Sequence, residues 1–308
     1  MIQTEHLTKR YGKLTALAEL NLKIDQGKVF GFIGPNGAGK STCMMILATL
    51  LEPTAGKAYI CGYDVMKEPR AVRQSVGYMP DFFGVYDNLT AVEYLDFYAG
   101  AYHIPASKRT SLIADLLELV NLSNKADAYV DSLSRGMKQR LGLARCLVHS
   151  PDVLILDEPA SGLDPRARIE MREILKQLRT MGKTILISSH ILPELAELCD
   201  EIGVIEKGRL IACGAINEVS VGERGISVMQ LKTLNRHDEA EAILLHSPYV
   251  KRLDDKNSHY RFHFTGTEAD KAALLQQLVQ AGIAVVHYGD SGENLEDVFL
   301  AITEGVGN

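Results

Sequence analysis

The sequence predicts an α/β protein: a wound, mainly parallel sheet over residues 1–215, followed by a small α+β domain over residues 216–308. Three observations carry that expectation. Short, almost wholly apolar runs, Val153–Leu156 and Thr184–Ser188, suit strands buried on both faces. Runs of helix length alternate with them. Finally, the charge balance changes: Ile216–Asn308 carries 14 acidic and 8 basic residues, whereas residues 1–215 carry 25 of each sign.

The elements follow in order. Leu14–Leu22 and Val29–Ile33 read as strands. Asn36–Gly39 is a glycine-rich turn, and Ser41–Leu51 is an apolar run long enough for a helix. Residues 88–147 read as mostly helical, with Leu112, Leu116, Leu117 and Val120 on one stripe. Asp164-Pro165 supplies an N-cap and a first-turn proline for a helix reaching about Met181. Glu201–Glu206, a Lys207-Gly208 turn and Arg209–Cys213 read as a hairpin, which places a domain boundary near residue 215. Beyond it, Ser227–Leu231, His259–Phe264 and Ile283–Tyr288 read as three strands, with helices at Asp238–Leu245 and Ala269–Ala281.

Composition bounds the function. A chain of 308 residues, 46% hydrophobic and 23% charged, is long enough for one large or two modest cores. A net charge of −6 argues against a protein that coats nucleic acid. No apolar run approaches the ~18–20 residues of a membrane span, and the opening MIQTEHLTKRYGK lacks a signal-peptide core. The expectation is a cytoplasmic protein. Cys43, Cys61, Cys146, Cys199 and Cys213 lack metal-ligand spacing and read as reduced thiols. His259 and His263 share one face of a predicted strand but lack a third ligand, so they read as surface residues.

The strongest chemical signal is Gly34-Pro35-Asn36-Gly37-Ala38-Gly39-Lys40-Ser41-Thr42, set between a predicted strand and a predicted helix. Its glycines let backbone N–H groups converge on phosphate oxygens, and the helix N-terminus adds its dipole. Lys40 would contact the β and γ phosphates, Ser41 would ligate Mg²⁺, and Thr42 could donate to the α phosphate. Val153–Leu156 then leads into Asp157 and Glu158. Two carboxylates at the end of a buried strand are costly without a cation or a proton-transfer role. Asp157 would hold Mg²⁺ through water, and Glu158, one residue further on, is the candidate for proton transfer. Nucleoside triphosphate binding follows.

Further residues decide which kind of phosphate-loop protein this is. Leu133-Ser134-Arg135-Gly136-Met137, continuing as Lys138-Gln139-Arg140, resembles the signature motif of ATP-binding cassette (ABC) ATPases. Ser161-Gly162-Leu163-Asp164 resembles that family's D-loop, His190 its switch histidine, and Tyr11 its adenine-stacking aromatic. The resemblance spans residues 1–215. It implies a RecA-like core with an N-terminal antiparallel β part and a helical subdomain at about 88–147, leaving 216–308 as a small accessory or dimerisation domain. Ser134 and the N–H groups from Arg135 onward begin a helix, a second anion-binding terminus; a plain helix cap would look the same. A tyrosine packed on its strand would also look like Tyr11. The resemblance implies that two cassettes, a homodimer or a mixed pair, pack head to tail, each signature closing on its partner's ATP, with His190 holding the γ-phosphate.

The chain departs from the family pattern at Asp81, where Gln is usual, and at Arg135 and Met137, which replace Gly and Gln. Asp81 could still bind Mg²⁺ through water. The retained Gly136 would let backbone approach phosphate. The continuation Gly136–Ala144 and the tail from Asn294 to Thr303 look most like single-cassette ATPases that serve ABC-2 type exporters, ahead of importer subunits and soluble cassette proteins. The resemblance implies an ATPase peripheral on the cytoplasmic membrane face, bound to a transmembrane permease through residues 88–147 and the Phe82, Phe83, Val85 and Tyr86 loop. No nucleic-acid partner is expected.

Overall fold

A computed structural model describes residues 1–81, 84, 88–189, 195, 197–215, 227–256 and 259–290. Two compact units divide the chain, Met1–Gly214 and Ala215–Asn308.

The first unit contains two sheets. One is antiparallel and four-stranded, built from β1 (Ile2–Tyr11), β2 (Leu14–Ile24), β4 (Ala55–Ile60) and β5 (Tyr63–Asp64) in the order β2-β1-β4-β5. The other holds β3 (Val29–Ile33), β6 (Val76–Met79), β7 (Val153–Leu156), β8 (Thr184–Ser189), β9 (Glu201–Glu206) and β10 (Arg209–Ala215) in the order β10-β9-β3-β8-β7-β6. Here β6, β7, β8, β3 and β9 pair in parallel. Every residue of β3, β7 and β8 is buried, as near-continuous apolar strands require. Leu7, Leu17, Phe30, Phe32, Met44 and Ile155 share the core formed between α1 (Lys40–Leu47) and the sheets.

Further α-helices among the described residues are α2 (Pro69–Ser75), α3 (Ala91–Ala101), α4 (Ala106–Leu119), α5 (Arg135–Leu147) and α6 (Pro165–Thr180). Their starts follow local chemistry. Thr90 and Glu93 form a capping box on α3, Ser134 caps α5, and Asp164 caps α6 ahead of Pro165.

Residues 2–11 and 55–60 carry strands that hydrophobic pattern alone does not mark. β1 alternates poorly, because its pairing with β2 shifts register between Thr4 and Leu7 and twice more before Tyr11. The apolar run after the glycine turn is helical over Lys40–Leu47; Thr49 turns to φ 61°, which ends it.

In the second unit, β11 (Ser227–Thr233), α7 (His237–His246), β12 (Val250–Lys256), β13 (His259–Phe264), α8 (Glu268–Gln280) and β14 (Val285–Asp290) form a βαββαβ unit. Its antiparallel sheet is ordered β12-β13-β11-β14, the split β-α-β arrangement. Met229, Leu231, Tyr260, Phe262 and Phe264 pack on Ala240, Leu244, Leu274 and Leu278. The sequence pattern predicts three strands here, and the described residues hold four. β12 escaped because it is a polar edge strand, VKRLDDK, with a register shift between Val250 and Leu253.

One close approach fixes the sheet against the helical region. A Cβ on Gly77 of β6 would lie 2.4 Å from the Cys146 carbonyl oxygen and 2.9 Å from Leu154 Cδ2. Gly77→Ala should therefore push β6 from α5 and cost about 1–3 kcal/mol, read as a lower urea midpoint at unchanged m-value.

Candidate functional site

The parallel strands of the core sheet deliver their carboxyl ends to one edge, where doubly wound sheets bind ligands. After β3 the chain enters the glycine loop. A Cβ on Gly34 would lie 2.3 Å from the Ile205 carbonyl oxygen, and one on Gly39, at φ 112°, would lie 2.5 Å from that of Ala16. Both glycines are therefore required by backbone that presses on the loop from β9 and β2. Pro35, Asn36 and Gly37 are exposed at the tip, and the Ala38 N–H donates to the Pro35 carbonyl at 3.1 Å. α1 has no side-chain cap at Gly39 and no acidic residue in its first turn. Its first N–H groups lack helical partners, so the positive pole of the helix faces the loop. Ser41 is exposed and Thr42 half-buried in that turn.

Lys40 is buried, and its ammonium curls back to donate to the Gly34 carbonyl at 2.6 Å and the Pro35 carbonyl at 3.3 Å. It also lies 4.0 Å from Glu158 Oε1. Burial pushes its pKa below the ordinary lysine value; Glu158 and then Asp157 partly oppose that shift. An ammonium held on loop carbonyls beside an uncapped helix terminus suits a polyphosphate, whose oxygens can replace those carbonyls.

Asp157 is buried at the end of β7, its N–H donating to the Met79 carbonyl at 2.8 Å. Its Oδ1 accepts from Ser188 Oγ at 2.6 Å, and the same hydroxyl accepts from the Glu158 N–H at 2.9 Å. Glu158 sits at φ 51°, a strained conformation for a residue with a side chain. Asp81 is exposed beyond β6. Burial, then Asp157 and Asp81, push the Tyr78 phenol up to about 12. Tyr11 is exposed at the end of β1, with Lys9 Nζ 5.2 Å from its ring centroid.

At the start of α5, Ser134 Oγ accepts from the Met137 N–H at 3.3 Å. Ser134 and Arg135 are exposed, Met137 is half-buried, and Gly136 is buried. A Cβ on Gly136 would lie 2.8 Å from Ala167 Cβ. Within this chain the glycine is thus demanded by packing against α6, a reason separate from the expected approach to phosphate.

The structure brings Gly34–Thr42, Asp157 and Glu158 together. Among the described residues, no hydrogen bond or ion pair joins Ser134, Arg135, Gly136 or Met137 to that loop. His190 and the Phe82, Phe83, Val85 and Tyr86 cluster lie outside the described residues, as does the tail from Asn294 to Thr303. Ser188 is the site residue that sequence reasoning missed; the available signal was a pair of hydroxyls ending an otherwise apolar buried strand.

A model of the ABC transporter family matches residues 17–161. The Nod factor export ATP-binding protein I of Burkholderia orbicola (strain AU 1054) is 38% identical over 310 residues, covering 98% of this chain and 96% of that protein. The chain belongs to the ABC transporter family. The linearmycin resistance ATP-binding protein LnrL of Bacillus subtilis (strain 168) is 32% identical over 308 residues, covering 98% of each chain. A solved ATP-binding subunit of an ABC transporter superposes with a TM-score of 0.65 at 30% identity, covering 71% of this chain and 91% of that one. A dimeric ATP-binding cassette in a post-hydrolysis state, bound to ADP and Pi, gives 0.64 at 26% identity, covering 70% and 99%. The expected fold is thus the observed one: an ABC cassette with a further small α+β unit. It binds ATP and hydrolyses it to ADP and phosphate.

Ser188→Ala would leave the buried Asp157 carboxylate and the Glu158 N–H without their shared partner. An ABC cassette carrying it should lose about 1–3 kcal/mol of stability and most of its turnover, checked by urea unfolding alongside steady-state phosphate release.

Proposed function

We propose that this chain is the ATP-hydrolysing subunit of an ABC-2 type exporter, paired with a second cassette around two ATP and seated beneath a membrane permease. The exporter assignment is supported by the Nod factor export and linearmycin resistance relatives, which match along nearly their whole length. Pairing is supported by the dimeric cassette. Among the described residues, no helix is long and apolar enough to cross a membrane. A peripheral place on the cytoplasmic face, reached through a permease, fits that observation.

The observation that carries the chemistry is Lys40 parked on its own loop, 4.0 Å from Glu158. The ammonium leaves the Gly34 and Pro35 carbonyls for β and γ oxygens, while the N–H groups of residues 37–42 surround the phosphates. Glu158 takes a proton from the attacking water at its carboxylate as the water oxygen bonds to the γ phosphorus and ADP departs. Ser41 and Asp157, with Asp81, would supply hard oxygen donors of the kind that suit Mg²⁺. Mg²⁺, when bound, neutralises charge on the phosphate oxygens. His190 would hold the γ-phosphate and Tyr11 would stack on adenine. Ser134, Arg135, Gly136 and Met137 would close on the partner's nucleotide.

Removing a general base costs ~10²–10⁴-fold in rate. Glu158→Gln should bind ATP, turn over at that reduced rate and accumulate as an ATP-bound dimer in size-exclusion chromatography. Hydrolysis within threefold of the unaltered protein would remove Glu158 from the role.

A docking place for the permease is supported by an open groove of about 320 Å³ between β6, α3 and α5. Tyr102 stacks on His149 at 3.8 Å, and Arg145 lies over the Tyr98 ring at 5.4 Å. Arg73 and the exposed Leu50 complete the rim. Among the described residues, arginines and aromatics line the groove and no carboxylate does, so the matching element is a short apolar helix carrying an acidic side chain. Arg73→Glu should abolish co-purification with the permease from detergent extracts and leave ATP hydrolysis by the isolated subunit unchanged.

A further inference from the structure

Arg135 is the first residue of α5. A cation there is opposed by the helix dipole, so the charge of Arg135 gains nothing from its own helix. Its guanidinium instead covers the loop that leads away from Glu158. A Cβ on Gly162 would lie 2.4 Å from Arg135 Cζ, 2.4 Å from Nη1 and 2.6 Å from Nη2. Near-equal distances to three atoms of one plane mean that the plane lies across the place where Gly162 lacks a side chain.

Gly162 is the bend of that loop, at φ 66°. On one side, the Ser161 N–H donates to the Glu158 carbonyl at 3.0 Å. On the other, Arg168 Nε donates to the Leu163 carbonyl at 2.9 Å and the Ala167 N–H to Asp164 Oδ1 at 3.0 Å. The α6 side of the bend is thus held by helix capping and a side chain, and the Glu158 side by that turn, by the Leu163 N–H donating to the Ala160 carbonyl at 3.3 Å, and by the Glu158 N–H donating to Ser188 Oγ at 2.9 Å. Arg135 closes the bend from a third direction. Beside it, Gly136 packs on Ala167, which fixes how far the base of Arg135 can move.

We infer that Arg135 is a positioning residue for hydrolysis: its guanidinium, lying on Gly162, holds the loop from Glu158 to Asp164 and thereby the Glu158 carboxylate. The inference rests on the reading of Glu158 as general base. It gives the arginine a role inside its own chain, next to the helix terminus proposed to meet the partner's ATP. Displacement of α5 as it closes on that nucleotide is passed through Arg135 and Gly162 to the base at the other site.

The test is steady-state hydrolysis by the full chain carrying Arg135→Gly, Arg135→Lys, Gly162→Ala or Arg135→Gly with Gly162→Ala, with thermal midpoints measured alongside. Misplacement of a catalytic group by about 1 Å costs up to ~10²-fold. Arg135→Gly should lower kcat about ten- to a hundredfold with KM for ATP within twofold, and its thermal midpoint should stay near that of the unaltered chain. The Gly162→Ala methyl evicts the guanidinium, which is the free end of a flexible side chain, so it should reproduce the kcat loss. The double variant should be no slower than the slower single, since both break one contact. Arg135→Lys keeps the charge but not the plane and should remain slow. Full activity in Arg135→Lys would show that charge alone acts and would overturn the inference. So would unchanged kcat in Arg135→Gly, a raised KM at constant kcat, or additive losses in the double variant. Glu158→Gln run beside them separates the two claims. Fast turnover there removes the general-base reading whatever Arg135 does. A slow Glu158→Gln with a normal Arg135→Gly removes only this inference.

Discussion

Parallel pairing of β3, β8 and β7 constrains everything at the site. Ile33 is level with Ser189, and Leu156 with Ile187. The glycine loop, the Ser188-Ser189 pair and the Asp157-Glu158 pair therefore leave the sheet at one edge. A parallel sheet buried on both faces leaves its strand ends as the place where polar groups can gather. Ser188 shows the consequence: one hydroxyl on β8 serves both the carboxylate and the N–H that end β7. Strand register, rather than any loop, sets the distance between the phosphate-binding turn and the carboxylates.

The electrostatics at that edge are unbalanced in a useful direction. Burial of Lys40 outweighs the combined pull of Glu158 and Asp157, so its pKa stays lowered. A buried ammonium in that condition gains from any additional anion nearby, because added negative charge offsets desolvation that the carboxylates leave uncompensated. The negative charge of a bound triphosphate would thus favour the protonated ammonium of Lys40 further. The carbonyls of Gly34 and Pro35 satisfy the ammonium meanwhile, at the geometric cost of the glycine loop that folds around it.

What the sequence revealed follows from how tightly each feature is tied to local chemistry. The glycine loop was legible because Gly34 and Gly39 face backbone at 2.3 and 2.5 Å and accept no substitute. Buried strands were legible as apolar runs, and the α6 start as an Asp164 cap with Pro165. β1 and β12 were not, because register shifts and edge positions free their side chains from strict alternation. Ser188 was missed because its role lies in its register with β7, a relation between strands far apart in sequence. The packing demand on Gly136, separate from any approach to phosphate, was not legible because Ala167 lies 31 positions further on.

The same relation explains how the chain accommodates an arginine at Arg135. At the junction of α5 and α6 the two helices approach closely through Gly136, so a side chain on the preceding residue must find room outward along the neighbouring loop. Gly162 supplies it by having no side chain at a bend of positive φ, where glycine is favoured on conformational grounds as well. One glycine therefore answers two demands, the turn of the loop and the seat of the guanidinium. A substitution at Gly162 confounds the two unless it is compared with one at Arg135, which leaves the turn unchanged. The arginine and the bend are best regarded as a single unit joining the start of α5 to the chain segment that begins at Glu158.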